Sequence, residues 1–400
     1  MALGDVADFV RGVTFKPGDV KELGAPGTVA CLRTANVQTE LSLEDVWAIP
    51  ETLAGRPDQG LRRGDVLVSS ANSWNLVGKC SWVGDLPWRA TFGGFVTTIR
   101  ARPDRLDPRY FFRWFSSPTT QAVIRSFGRR TTNISNLNLD RCRRLTFRLP
   151  PLEEQRRIAA ILDAADELRA KRRGSLSLLD SLTESIFVDM FGDPLSGGSQ
   201  WHVGCIGDLV ERFEAGKSVD TNEADAAVAR YRVLKVSAIT SGRYRGEESK
   251  PVPPAYEPPQ EHFVRRGDLL FSRANTEALV GASALVDEDR SGELLSDKLW
   301  RFVWRDNVQV VPLYVWSYLQ RSGTRRAIGS LATGTSGSMK NISQAKLMTV
   351  PIPVPPLSLQ LEFADRRSQA AVVTRSGTTS LHAFDSLFSS LQHRAFRGEL

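Results

Sequence analysis

The chain repeats itself. RRGDVLVSSAN at 62–72 recurs as RRGDLLFSRAN at 265–275, and Val77-Gly78 recurs as Val280-Gly281. DPRYFFRWF…AVIRSF (107–127) parallels VPLYVWSYL…RAIGSL (311–331), and TTNIS (131–135) answers MKNIS (339–343). LPPLEEQ (149–155) answers VPPLSLQ (354–360), LLDSL (178–182) answers AFDSL (383–387), and GDVADFV (4–10) answers GDLVERF (207–213). The blocks keep their order at a spacing of roughly 203–208 residues, a drift that short loop insertions produce. Such a chain folds as two copies of one plan.

Each copy has a globular part and a distinctive tail. GDVLVS (64–69), GFVTTIR (94–100) and CRRLTFRLP (142–150) have the β-branched, alternating character of strands. Asp107–Phe127 carries Tyr110, Phe111, Trp114, Phe115, Ala122 and Ile124 at helical spacing. The second half repeats this order with GDLLFS, LWRFVW, the 311–331 helix and LMTVPIPV. Strands and helices do not alternate strictly, so the expected class is α+β rather than a doubly wound sheet.

In the first tail, apolar residues fall at 158, 161, 162, 165, 168, 176, 179, 182 and 186. Three-and-four spacing sustained over several heptads marks a coiled-coil seam. Pro150-Pro151 opens the helix, Glu153 and Glu154 suit its N-terminal dipole, Gly174 is a candidate kink, and Phe191-Gly192-Asp193-Pro194 ends it. The second tail runs from Pro356-Leu357 to Arg397-Gly398 with Leu361, Ala364, Ala371, Leu381, Phe384, Leu387, Phe388, Leu391 and Ala395 as its stripe. A break is expected between Thr374 and Ser380, around Gly377. Two matched amphipathic helices can bury their stripes against each other, most simply antiparallel. The expected segments are a globular part at 1–150, a long helix at 151–192, a linker at 193–200, a second globular part at 201–355 and a second helix at 356–400.

Composition narrows the class. With 41% hydrophobic and 24% charged residues the chain is a folded protein rather than a disordered one. It has no run of the ~18–20 uncharged apolar residues that spans a bilayer, and no secretory signal follows Met1. The expected location is the cytoplasm, without membrane contact. Cys31, Cys80, Cys142 and Cys205 form no C-x-x-C pair and only four His exist, so the cysteines read as core residues and no metal site is expected. Net charge is +7, and most of the 52 basic residues are Arg, which suits bidentate contacts to guanine and phosphate. An Arg-rich genome would give the same excess.

Two similar, non-identical basic domains on a rod suggest two non-identical half-sites on a duplex. PLEEQRRIAAILDAADEL (151–168), SIFVDMFGDP (185–194), the terminal LQHRAFRGEL (391–400), CLRTANVQ (31–38) and the Asn-Ile-Ser turns together resemble the specificity subunit of type I restriction–modification systems. The resemblance covers essentially the whole chain. It implies that each globular part is a target recognition domain reading one half of a bipartite asymmetric DNA site. It further implies that the two helices form an antiparallel coiled coil acting as spacer and as dock for two methyltransferase subunits. The implied partners are double-stranded DNA, those subunits, and restriction/translocase subunits. S-adenosylmethionine, ATP and Mg are implied for the partners, with no cofactor in this chain. Two departures stand out: the first domain lacks the Gln200–Gly204 lead-in, and Leu359 replaces the acid at Glu154.

Enzymatic readings fail on spacing. Gly216-Lys217-Ser218 ends like a P-loop, but Glu211 stands where the upstream glycine is required. VPPAY (252–256) lacks the amide of a methyltransferase tetrad, and Glu248-Ser249-Lys250 has no nearby Pro-Asp. The chain reads as non-catalytic. Candidate DNA contacts are Arg33 and Asn36 with Lys235 as second-half counterpart; Ser70, Asn72, Trp74 and Lys79; and Arg273, Asn275 and Thr276. Arg129, Arg130 and Thr131, with Thr335, Ser336 and Lys340, lie in loops suited to phosphate. Arg243 and Arg245, flanking Tyr244, sit in a segment found only in the second half. Asn72 and Asn275 could equally cap turns. Two alternatives stay open: a specificity protein of another phage-defence system, and a non-DNA assembly scaffold.

Overall fold

A computed structural model describes residues 1–130, 134–192, 201–220, 228–336 and 339–400. It divides into two compact units, Met1–Arg173 with Thr379–Leu400, and Gly174–Thr378. Both units therefore contain part of each long helix.

The first unit holds β1 (Ala7–Arg11), β2 (Thr28–Leu32), β3 (Trp47–Pro50), β4 (Val66–Ser69), β5 (Ala71–Asn72), β6 (Cys80–Trp82), β7 (Ala90–Phe92) and β8 (Val96–Ala101). These are followed by α1 (Pro108–Phe115), α2 (Pro118–Ser126), β9 (Gly128–Arg130), β10 (Ser135–Leu137), α3 (Leu139–Arg143) and the start of α4 (Leu152–Phe191). The second unit holds β11 (Val203–Cys205), α5 (Ile206–Leu209), β12 (Val210–Ala215), β13 (Arg232–Leu234), β14 (Ser249–Pro251), β15 (Leu269–Ser272), β16 (Ala274–Asn275), β17 (Ser283–Leu285), β18 (Glu293–Leu294) and β19 (Leu299–Trp304). It continues with α6 (Pro312–Gln320), α7 (Ser322–Leu331), β20 (Thr333–Ser336), β21 (Met339–Asn341), α8 (Gln344–Met348), β22 (Pro351–Pro353) and the start of α9 (Leu357–Arg397).

Three sheets in the first unit have counterparts of the same order in the second. The main antiparallel sheet runs β1-β8-β4-β6, and its counterpart β12-β19-β15-β17. A mixed sheet β3-β2-β7 answers β14-β13-β18, and a small ribbon β5-β10-β9 answers β16-β21-β20. The repeated RRGD explains much of this. Gly64 and Gly267 take φ of 95° and 92°, a region costly for other residues. The next residue then caps the turn, Asp65 accepting from the Arg62 amide at 2.9 Å and Asp268 from the Arg265 amide at 2.8 Å. Asp65 also receives Arg100 of β8 through two bonds of 2.7 Å, and Asp268 receives Arg301 of β19 at 3.2 Å.

Several expected elements differ. Residues 142–150 do not form a strand: Asn138 caps α3 by accepting the Arg141 amide at 3.0 Å, and Ser343 caps α8 in the same way. The helix expected over Asp107–Phe127 is two, because Ser117 caps a fresh start at Pro118. Neither Gly174 nor Gly377 interrupts its helix. Gly174 has open space around it, so it loses backbone freedom without a packing conflict. Three cysteines are buried, and burial pushes the thiols of Cys31, Cys80 and Cys142 up to about 12. Cys205 is only partly buried, since it lies on β11.

The helices pack as antiparallel segments within each unit. In the first, Ile158, Ala159 and Leu162 share a core with Phe388 and Ala395, and Arg169 pairs with Asp385 at 2.7 Å. In the second, Phe187 and Phe191 meet Phe363 edge to face, with ring centroids 5.5 and 5.3 Å from it. Leu168, Leu361 and Leu387 of the expected stripes are exposed, whereas Phe363, outside those stripes, is fully buried.

A glutamine joins each long helix to its globular part. Gln155, 1% exposed, accepts the Asp107 amide at 2.8 Å and donates to the carbonyls of Arg105 and Pro150. Gln360, also 1% exposed, accepts the Val311 amide at 2.9 Å and donates to Pro355. Tyr110 and Tyr314 reinforce the joints through bonds to the carbonyls of Arg148 and Pro353. Gln155→Ala should lower unfolding free energy by about 1–3 kcal/mol, because buried partners are left unsatisfied. Exposed Glu153→Ala should stay within about 0.5 kcal/mol; denaturant unfolding of both variants is the check.

Candidate nucleic-acid interface

The candidates fall into three settings, and the structure gives them different jobs. Asn36 is structural. It is 1% exposed, its oxygen accepts the Arg33 amide at 2.8 Å, and both amide protons are spent on the carbonyls of Ser42 and Glu44. It staples the 33–45 loop and has no proton left for an adenine edge, contrary to the expectation from LRTAN. Arg33 is held in the same loop by Asp45 at 2.6 Å and lies over the Trp47 ring at 3.7 Å. Lys79 donates to the Gln38 side chain, so it too braces this loop. In the other unit Lys235 precedes a turn, with its amide bonded to the Glu248 carbonyl at 2.9 Å.

The segment 241–250 divides. Tyr244 is buried and donates to Glu293 inside the core, so it is unavailable to a partner. Arg245 is tied to the Ser237 carbonyl at 2.9 Å, whereas Arg243 is exposed. Burial of the Tyr244 phenol raises its pKa well above the ordinary value.

The small ribbons collect the remaining candidates. Within the first unit, β10 pairs with β5 and β9, setting Ser135 opposite both Asn72 and Arg130, and Asn136 opposite Ala71 and Arg129. Directly opposite residues share a face. Ser135 is buried while Asn136 and Arg129 are exposed, so the latter pair faces outward. Among the described residues no carboxylate lies within ion-pair distance of Arg129. Asn72 caps the loop, accepting the Ser73 amide and donating to Ser69. Ser70 is held by its backbone, donating to Phe95 and accepting from Leu137, and the half-exposed Trp74 ring approaches Gly128 of β9. Thr131 lies outside the described residues, as do the side chains of Arg130, Thr335 and Ser336.

The ribbon of the second unit is built alike. Asn275 stands opposite Lys340, whose ammonium donates to the Gly334 carbonyl at 3.3 Å. Asn275 accepts the Thr276 amide at 2.8 Å, the Asn72 arrangement again. Arg273 is turned to the Asp297 carbonyl at 2.8 Å, and Thr276 is exposed. Sequence reasoning missed Asn136 and Phe95. Phe95 begins an apolar strand and looks like core, yet it is 63% exposed.

The enzymatic decoys have structural uses. A Cβ on Gly216 would fall 1.7 Å from the Leu295 carbonyl oxygen, and one on Gly12 2.2 Å from that of Gly93. Both glycines are therefore required by close backbone approach. Glu248 accepts from the Ser237 hydroxyl at 2.8 Å. Among the described residues no group of His, Cys, Asp or Glu is placed to hold a metal ion, and no helix is long and apolar enough to cross a membrane.

Residues 1–176 match the family described as "Type I restriction modification DNA specificity domain". Over 164 residues the chain is 33% identical to the type I restriction enzyme EcoEI specificity subunit of Escherichia coli, covering 40% of this chain and 27% of that protein. Over 415 residues it is 24% identical to the EcoKI specificity subunit of E. coli K12, covering 99% of this chain and 87% of that one. The fold is shared with the crystal structure of a type I restriction–modification S subunit from M. genitalium. The TM-score is 0.56 at 13% identity, over 99% of this chain and 95% of the other.

Two substitutions separate the jobs. Asn36→Ala should cost about 1–3 kcal/mol of stability by stranding buried partners. Arg129→Ala should leave unfolding within about 0.5 kcal/mol and flatten the salt dependence of duplex binding by about one unit of slope.

Proposed function

We propose that the chain is a specificity subunit of a type I restriction–modification system and selects the DNA sequence on which such a complex acts, a reading that the similarities above support. Residues 1–150 and 201–355 serve as two target recognition domains, each reading one half of a bipartite, asymmetric site. The observation that carries this reading is a duplicated strand order supporting ribbons whose outer residues differ. Asn136 stands opposite Ala71 and Arg129 in the first unit, and its counterpart Asn341 opposite Ala274 and Thr333; Lys340, opposite Asn275, takes the place of Ser135 opposite Asn72. One scaffold with two sets of side chains suits two dissimilar half-sites.

The helices at 151–192 and 356–400, the first followed by a linker at 193–200 that lies outside the described residues, act as spacer and as dock for two methyltransferase subunits. Their opposed packing within each unit supports an antiparallel coiled coil. The chain itself is non-catalytic. S-adenosylmethionine, ATP and Mg belong to the methyltransferase and restriction subunits that it assembles in the cytoplasm.

Single-molecule methylation mapping of the native genome, with the gene intact and deleted, tests the function. A split, asymmetric adenine-methylated motif should vanish on deletion; an unchanged methylome in a strain with an active methyltransferase rejects the reading. Exchanging residues 1–150 for those of a relative should alter one half of the motif only. Duplex binding should also weaken with salt, at a slope of about −0.9 per phosphate neutralised.

A further inference from the structure

The repeat places one pair of residues at the same point of the two scaffolds. Ser70 donates its amide to the Phe95 carbonyl at 2.9 Å, and Arg273, its counterpart in the repeated RRGD block, donates to the Lys298 carbonyl at 3.1 Å. Phe95 and Lys298 therefore occupy matching positions just ahead of β8 and β19. The Phe95 carbonyl also accepts from Ala71 of β5, which binds its backbone to the ribbon bearing Arg129. Its ring nevertheless stands 63% exposed.

The contrast extends to a neighbouring loop. Trp74, 37% exposed, lies where the second copy has Glu277, since Val77-Gly78 matches Val280-Gly281. On one framework the first unit thus presents two aromatic rings on segments bound to the ribbon that bears Arg129, where the second has a half-buried lysine and an exposed acid. A rigid, exposed aromatic beside a cation suits a surface that meets the faces and methyl edges of bases, whereas a lysine suits phosphate.

Resting on the proposed function, we propose that Phe95 is a specificity-determining residue, making an apolar contact with bases of the half-site read by residues 1–150. Lys298 takes the same place in the second unit and contacts a backbone phosphate. The matched positions then contribute differently: loss of Phe95 leaves the salt slope unchanged, and loss of Lys298 lowers it.

The test uses the full chain with its methyltransferase partner and duplexes carrying the genome-mapped motif, intact or with either half scrambled. Phe95→Ala should weaken binding to the intact duplex about 10–100-fold and abolish discrimination against scrambling of the first half, at unchanged salt slope. Phe95→Tyr should restore most of the loss. Lys298→Ala should keep both discriminations and make the salt slope shallower by about one. Wild-type discrimination and affinity in Phe95→Ala would overturn the proposal, as would a loss equal on all duplexes or accompanied by a lower melting temperature. Wild-type protein that ignores scrambling of either half would overturn the functional reading itself, and this proposal with it.

Discussion

A buried glutamine at the head of each long helix is the contact on which the architecture depends. A proline pair must turn the chain out of the globular core and into a helix about 60 Å long at 1.5 Å per residue. Proline removes amide donors, and carbonyls around the turn are left without partners. Gln155 and Gln360 meet this need, because an amide side chain both donates and accepts. A glutamate could not donate at neutral pH, and a leucine could do neither. The angle at which each helix leaves its core is set there, and Tyr110 and Tyr314 fix it from the other side.

Around these joints the charges are arranged for cohesion. Arg109 and Arg113 of α1 grip Asp163 on α4, Arg113 also reaches Asp166, and Arg169 passes from Asp166 to Asp385 on α9. Arg169 also lies over the Phe388 ring at 4.3 Å. Three arginines of the first unit are thus engaged within it. Net charge therefore overstates the charge free to meet an anionic partner.

The repeat, the mixed α and β character and the two long helices were legible in the sequence because they rest on pattern. RRGD, PPLEEQ and PPLSLQ are local chemistry, and local chemistry leaves a mark in order and spacing. The details that failed depend on partners distant in sequence. Asn36 looked like a reader of bases until the loop carbonyls of Ser42 and Glu44 enclosed it. Tyr244 looked like part of a surface insert, but Glu293 draws it inward from 49 residues away. Phe95 failed in the opposite sense: hydropathy assigns a phenylalanine to the core, and only the position of β5 shows that it stands outside. The heptad stripe misplaced Leu361 because the seam turns on Phe363, where three aromatic rings compete for one interior.

The close approaches at Gly12 and Gly216 carry a further consequence. Each glycine lets a strand end pass within contact of a backbone carbonyl, in a core that its own unit closes. The RRGD turn of each copy is likewise closed by its own glycine and aspartate, while the tails are shared: in the first unit Asp385 of α9 pairs with Arg169 and Gln392 of α9 donates to the Arg113 carbonyl. A substitution at an exposed ribbon position of one copy therefore leaves the close approach and the RRGD turn of the other untouched. The two ribbons can thus carry different side chains on one backbone plan, and a change in one need not be matched in the other.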